Sequence, residues 1–206
     1  MAHPQINHDE TPIRLFKSDF MEFFTHITPQ AILVIWLPVV VWLLVTSRGI
    51  GAGLLVLVFL LGLFIWTLAE YTLHRFVFHF PPKTPRMERI TFLFHGVHHA
   101  QPQCKTRLVM PPVVAIPMAL IFYGLFWLIL GKLLGAYSWI HPLTAGFLVG
   151  YLIYDLTHYA THHWPMRSGY LKYIKRYHMA HHYKTPNMRF GVSSPVWDFV
   201  FGTSVK

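Results

Sequence analysis

Four short stretches of this sequence concentrate imidazole. They are EYTLHRFVFHF with His74 and His79, HGVHH with His95, His98 and His99, YDLTHYATHHW with His158, His162 and His163, and HMAHH with His178, His181 and His182. Together they hold 11 of the 15 histidines of the chain; His3, His8, His26 and His141 stand apart and read as surface or hydrogen-bonded residues. Imidazole suits iron, zinc, copper and nickel. A single zinc is saturated by three or four ligands, so this many clustered histidines are enough for two metals. A Cys-based zinc domain is excluded, because Cys104 is the single cysteine. A buried set of imidazolium groups would repel itself, so neutrality and a bound metal go together.

Spacing says which imidazoles act together. Positions i, i+3 and i+4 share one face of an α-helix. His158 and His162 are i, i+4 and could bind one metal from a single helix. HxxHH puts its three imidazoles on one face, in HGVHH and in HMAHH alike. His74 and His79 are i, i+5 and about 140° apart on an ideal helix. They can meet if the helix ends between them, and Pro81-Pro82 makes an ending there reasonable. The arrangement also repeats: His79 to His95 and His162 to His178 are both 16 residues. Two matching halves closing around one site are expected.

The elements that carry these clusters are apolar. The 206 residues are 54% hydrophobic and 12% charged, about half the charge of an ordinary globular domain. That composition excludes a disordered chain and, with one cysteine, a disulfide scaffold. The net charge of +9 would suit nucleic acid, but a chain this apolar points to a membrane protein and to no nucleic-acid partner. Four segments could enter a bilayer: 31–46, 50–71, 110–131 and 133–154. A spanning helix needs ~20 residues; the second and third meet this, the first is short, and the fourth is interrupted by Ser138, His141 and Pro142. Short connections make two tight hairpins. All four histidine clusters then lie on one side, just beyond the second and fourth spans. Of the 17 Lys and Arg residues, 15 fall on that side, Arg48 and Lys132 being the exceptions. The bias predicts a cytoplasmic face. Residues 1–28, with Asp9, Glu10, Asp19 and Glu22, show no signal-peptide core. Residues 15–26 could lie as an interfacial helix or belong to a mobile tail. The fold expected is an all-α integral membrane protein. Four transmembrane helices in two hairpins carry a cytosolic helical, His-rich di-metal cap formed by 72–109 and 155–206, all in one membrane-embedded domain.

The pattern HxxxxH, HxxHH, HxxxHH, HxxHH on a four-span chain resembles the fatty acid hydroxylase/sterol desaturase superfamily of membrane di-metal oxygenases. YDLTHYATHH, YLKYIKRYHMAHHY and FGVSSPVWDFVFGT look most like its fatty acid 2-hydroxylases. The resemblance covers about 68–203. It implies that His74, His79, His95, His99 and His181 hold one metal and that His98, His158, His162, His178 and His182 hold the other. The middle histidine of each HxxHH thereby crosses to the opposite metal. His163 is left as a supporting residue. Glu70 and Asp155, beside the clusters, are expected to accept the outer N–H of metal-bound imidazoles, with ion pairs to Arg75, Lys172 or Arg176 as the alternative.

The implied reaction is hydroxylation of the 2-position of a fatty acyl chain, free or in a complex lipid. Dioxygen supplies the oxygen, and two iron ions are the expected cofactor. Zinc could fill the same sites in a purified sample. Many eukaryotic relatives carry a fused cytochrome domain with an HPGG motif. Here His141-Pro142 is followed by Leu143-Thr144, so a separate electron donor of cytochrome or ferredoxin type is expected. The bacterial inner membrane is the expected location, or the endoplasmic reticulum in a eukaryote. Two alternatives compete: a sterol or carotenoid oxygenase of the same superfamily, which the GVSSPVWDFVFGT tail argues against, and a membrane metal transporter or sensor. Transport needs ligands along a path through the bilayer, whereas these clusters gather at one end.

Overall fold

The computed structural model describes residues 11–205; His3, His8, Asp9 and Glu10 lie outside the described residues. Among the described residues the regular structure is entirely helical. Helix α1 is short (Asp19–Phe23), with the Ser18 hydroxyl accepting from the Met21 amide. It covers only the middle of the helix expected over 15–26. Helix α2 (Pro29–Val45) starts with Pro29 in its first turn, behind a Thr28 side-chain cap. Helix α3 (Ala52–Thr72) runs without a break into a π-helical segment, Leu73–Phe78. Pro81 and Pro82 then prevent it from going further.

Helix α4 (Pro85–Thr91), a second π segment (Phe92–Gly96) and helix α5 (Val97–Ala100) carry the HGVHH cluster. Helix α6 (Pro112–Phe126) continues as a π segment to Leu133. The expected fourth span is shifted. Gly135 takes a positive φ of 67°, a 3-10 turn follows at Tyr137–Trp139, and helix α7 runs from Ile140 to His163. The polar residues Ser138, His141 and Pro142 therefore mark its start, and its far end carries the third cluster past position 154. Trp164, held extended before Pro165, terminates it. Helix α8 (Gly169–Tyr183) carries the last cluster, and the short helix α9 (Val196–Val200) follows a turn through Pro195.

The packing also differs from two simple hairpins. Helix α7 is the axis: α3 packs along it most extensively, then α2, with little contact between α2 and α3. The reason is a pair of glycine contacts. A Cβ on Gly62 would stand 2.0 Å from the Leu143 carbonyl oxygen, and one on Gly146 would stand 1.9 Å from that of Phe59. The two backbones touch there, as small residues permit in membrane helix pairs. Around this crossing Trp36, Trp66, Phe147 and Tyr151 form the aromatic part of the core.

Apolar side chains also face outward. Val34, Val41 and Val45 of α2, Leu57, Leu60 and Phe64 of α3, and Leu120 and Ile121 of α6 are all exposed. Such a continuous apolar exterior is foreign to a surface facing water. Two helical stretches, Ala52–Phe78 and Pro112–Leu133, are long and apolar enough to cross a membrane; α2 is apolar but shorter.

Candidate metal centre

The π segment after α3 decides how the first cluster meets. The His79 amide donates to the His74 carbonyl at 3.0 Å, an i→i+5 bond. No helix end falls between the two residues. The widened turn places i and i+5 on one face, as i and i+4 are placed in an α-helix, and their ring centroids are 4.9 Å apart. Such π turns recur at functional sites. His158 and His162 need no such device, being i, i+4 on regular α7.

Ten histidines converge in two groups of five. One is His74, His79, His95, His99 and His181; the other is His98, His158, His162, His178 and His182. Within each group one nitrogen per ring lies within 4.8 Å of every other. Each group contains the five residues that the resemblance assigns to one metal. The expectation that HxxHH presents a single face is corrected: His95 and His99 point into the first group and His98 into the second, while His178 and His182 point into the second and His181 into the first. The groups abut, with the His99 and His182 rings stacked at 4.2 Å.

The contacts inside each group fit ligation better than hydrogen bonding. In the second group Nε2 of His98 faces Nε2 of His158 at 2.8 Å and of His182 at 3.0 Å. Nε2 of His178 faces His162 at 3.0 Å and His182 at 3.1 Å. An imidazole nitrogen offers one lone pair or one N–H and can satisfy one such neighbour. Nitrogens sharing a metal at about 2.1 Å, roughly at right angles, stand about 3 Å apart. The first group repeats the pattern, His95 facing His74 at 3.1 Å and His99 at 3.0 Å, and His181 facing His79 at 3.1 Å. Burial, together with neighbouring imidazoles, pushes His95, His98, His178, His181 and His182 well below the usual histidine range. Burial alone pushes His79 down to about 4. These rings are therefore neutral near pH 7, the form that binds metal. An all-nitrogen donor set of this kind accepts iron or zinc.

The two carboxylates expected beside the metals do something else. Glu70 is buried and accepts from the amides of Val192 at 2.6 Å and Ser193 at 2.8 Å, and from the Ser193 hydroxyl. Asp155 accepts from the Met110 amide at 3.2 Å. Neither reaches an imidazole, nor the cations Arg75, Lys172 or Arg176. The imidazole partners are backbone carbonyls: Nδ1 of His74 donates to Phe190 at 2.5 Å, and Nδ1 of His181 to Met188 at 2.7 Å. Asp198 supports that loop by accepting from the Phe190 and Gly191 amides. The sequence carried a signal for it, a lone acid in the apolar run PVWDFVF. His163 lies outside both groups, its ring 4.6 Å from that of Tyr159. His26 and His141 are hydrogen-bonded, to Thr106 at 2.7 Å and Thr46 at 2.9 Å.

A largely apolar cavity of about 190 Å³ reaches both groups, touching His95 of the first and His98 and His158 of the second. Phe78, Phe94, Val113 and Tyr154 form part of its wall, and Phe16, Phe24 and Thr25 of the N-terminal segment close one side. That segment is stitched down by Arg107. Its guanidinium donates to the Ile13 carbonyl and pairs with Glu22, while Gln101 bonds Ile13 at 2.8 Å and Thr11 at 2.9 Å.

Comparison with known proteins then decides the family. The fatty acid hydroxylase family model matches residues 59–203. The chain belongs to the fatty acid hydroxylase family. A dihydroceramide fatty acyl 2-hydroxylase of Arabidopsis thaliana is 40% identical over 204 residues, covering 98% of this chain and 84% of that protein. The fatty acid 2-hydroxylase of Homo sapiens is 35% identical, covering 93% of this chain and 56% of its own length. The solved structure of full-length scs7p, in which only the hydroxylase domain is visible, superposes with a TM-score of 0.83. It is 38% identical and covers 91% of this chain and 70% of that one. Membership of this family makes the chain an enzyme, an oxidoreductase of the hydroxylase type.

Proposed function

We propose that this fatty acid hydroxylase family member is a membrane-embedded monooxygenase that hydroxylates carbon 2 of fatty acyl chains, free or in a sphingolipid. The ten grouped histidines would hold two iron ions, five ligands each. The observation that carries the reading is an apolar cavity whose wall includes imidazoles of both groups. The acyl-2-hydroxylase names of the relatives at 35–40% identity give the position of attack. When bound, iron would supply the redox chemistry that a strong C–H bond demands, which zinc, with no second oxidation state, does not.

The chain's own residues do the positioning. Phe78, Phe94 and Val113 would hold the acyl chain and exclude water from the histidine groups. Asp155, by holding the Met110 amide, fixes the loop that enters α6 beside the cavity. Dioxygen and reducing equivalents come from outside, the latter from a cytochrome or ferredoxin-type donor. The basic face of Lys172 and Arg176, both exposed, with the half-buried Lys175 beside them on α8, suits an acidic donor or anionic lipid heads.

The four helices α2, α3, α6 and α7 would cross the bilayer, with α7, about 36 Å long, shielded by the other three. The histidine groups would lie at the cytoplasmic face. The exposed Phe20 and Phe23 of α1 and Phe199 and Val200 of α9 suit the lipid interface. Expression in a host lacking 2-hydroxy lipids, with lipid analysis and metal content of the purified protein, tests the reading. The expected result is 2-hydroxy acyl product together with two metals per chain. A sterol or carotenoid product without 2-hydroxy chains would overturn it.

A further inference from the structure

The two histidine groups are built alike at their centres and differently at their backs. In the first, His74 and His181 each donate the outer Nδ1–H to a backbone carbonyl, of Phe190 and Met188. Both carbonyls belong to one loop. Arg189 between them takes a positive φ of 61°, an uncommon conformation for a side-chain-bearing residue. It turns the loop so that the flanking carbonyls meet two separate rings. Asp198, fully buried, holds the loop by accepting from the Phe190 and Gly191 amides at 2.9 and 2.7 Å and from the Thr203 hydroxyl at 2.7 Å. The Arg189 amide in turn donates to the Thr203 carbonyl at 2.9 Å. Glu70 holds the next two amides.

The second group has no such backing. The Nδ1 atoms of His98, His158, His162, His178 and His182 are all buried, and none has a hydrogen-bond partner among the described residues. A carbonyl behind a ligating imidazole fixes its tautomer and orientation and raises its basicity, and losing such a partner typically costs 10–100-fold in metal affinity.

We infer that the two metal sites are inequivalent. The group containing His74 and His181 is the tighter site, and Asp198 is the positioning residue that makes it so through the 188–191 loop. The inference rests on the two-metal reading above. It assigns a role to a carboxylate that touches neither metal nor substrate.

The test uses the full chain purified in detergent, stripped with chelator and titrated with Co²⁺ alone, followed by its visible absorption and by metal analysis. Wild type should bind two ions in separable steps, the first roughly 10-fold or more tighter. His79→Ala should remove the tight step and His162→Ala the weak one. Asp198→Asn should weaken the tight step by roughly 10–100-fold and leave the weak one in place, whereas Asp198→Glu should restore part of the loss. Thermal unfolding in detergent identifies a variant that has not folded, and the two steps in wild type decide the inequality without any variant. Two ions bound with equal affinity would overturn it, as would loss of the tight step in His162→Ala rather than in His79→Ala. Binding of fewer than two ions by wild type would overturn instead the two-metal reading beneath it.

Discussion

The amide of His79 donates to the carbonyl of His74 at 3.0 Å, one residue further round than an α-helix would place it. The π turn is what converts an i, i+5 pair into a pair on one face. Val77→Pro should abolish this turn, since proline removes an amide and crowds the preceding turn at a cost of about 3 kcal/mol. Val77 is itself exposed, so Val77→Ala should be tolerated. Metal analysis should show one equivalent lost in the proline variant. Retention of both with full activity would show that the π turn is dispensable.

Each of the ten grouped histidines, changed singly to alanine, should lower 2-hydroxy product by roughly 100-fold or more, as loss of a metal ligand does at least as much as loss of its supporting partner. His163→Ala should be milder, because that ring packs on Tyr159 outside both groups. Near wild-type turnover in His98→Ala or His178→Ala would contradict a shared two-metal site.

Stripped of metal, the protein should lose stability on acidification. Burial holds His79 at about 4 and keeps His95, His98, His178, His181 and His182 well below their usual range, while an unfolded imidazole titrates near ~6.5. The unfolded state therefore binds more protons below about pH 6.5, and stability present above that value is lost as pH falls toward 4. With each kcal/mol worth about 2–4 °C in a chain this size, thermal unfolding should drop by roughly 10 °C or more from about pH 7.5 to about pH 5. A flat profile would mean that these rings are already protonated or solvated in the folded protein.

Gly146→Ala should push α7 off α3, because the new Cβ would meet the Phe59 carbonyl. A destabilisation of about 1–3 kcal/mol is expected from overpacking. Product should fall with it, since α7 carries His158 and His162. The exposed Gly53→Ala, which meets nothing within 4 Å, is the matched control. Equal melting temperatures for the two would remove the close crossing as a determinant of stability.

Arg107→Gln should free the N-terminal segment from the cavity wall, by unmaking the pair with Glu22 and the bond to Ile13. A charged hydrogen bond of this kind is worth about 1.5–3 kcal/mol. The expected result is a broader range of acyl-chain lengths in the hydroxylated product, with metal content unchanged. An unaltered product profile would show that this wall does not contact substrate.

The grouping of the histidines was legible because imidazole at helical spacing is a strong local signal and the resemblance carried the crossing of His98 and His181. The π turn was not legible. The sequence LHRFVFH has no helix breaker between its histidines, and a widened turn leaves no residue signature of its own. The start of α7 was misplaced because apolar residues 133–137 look like span, yet Gly135 at positive φ breaks them. Glu70 and Asp155 stand out in the sequence as carboxylates beside the histidine clusters. Their partners were missed because backbone amides of a remote loop are invisible to any spacing rule. Asp198 had a sequence signal, a lone acid in an apolar run, but its bonds to the nearby Phe190 and Gly191 amides depend on the turn at Arg189, which no spacing rule gives.

The exchange of His98 and His181 between groups has a consequence for how the chain is made. Each group mixes residues before α6 with residues on α8, so neither can be completed by the first 160 residues alone. On the two-metal reading, an ion held by His74, His79, His95 and His99 would gain its fifth ligand only from His181, and one held by His158 and His162 would need His98 from earlier in the chain. On that reading, the five-ligand sites are therefore completed late in biosynthesis, once α8 has cleared the ribosome and packed against α7.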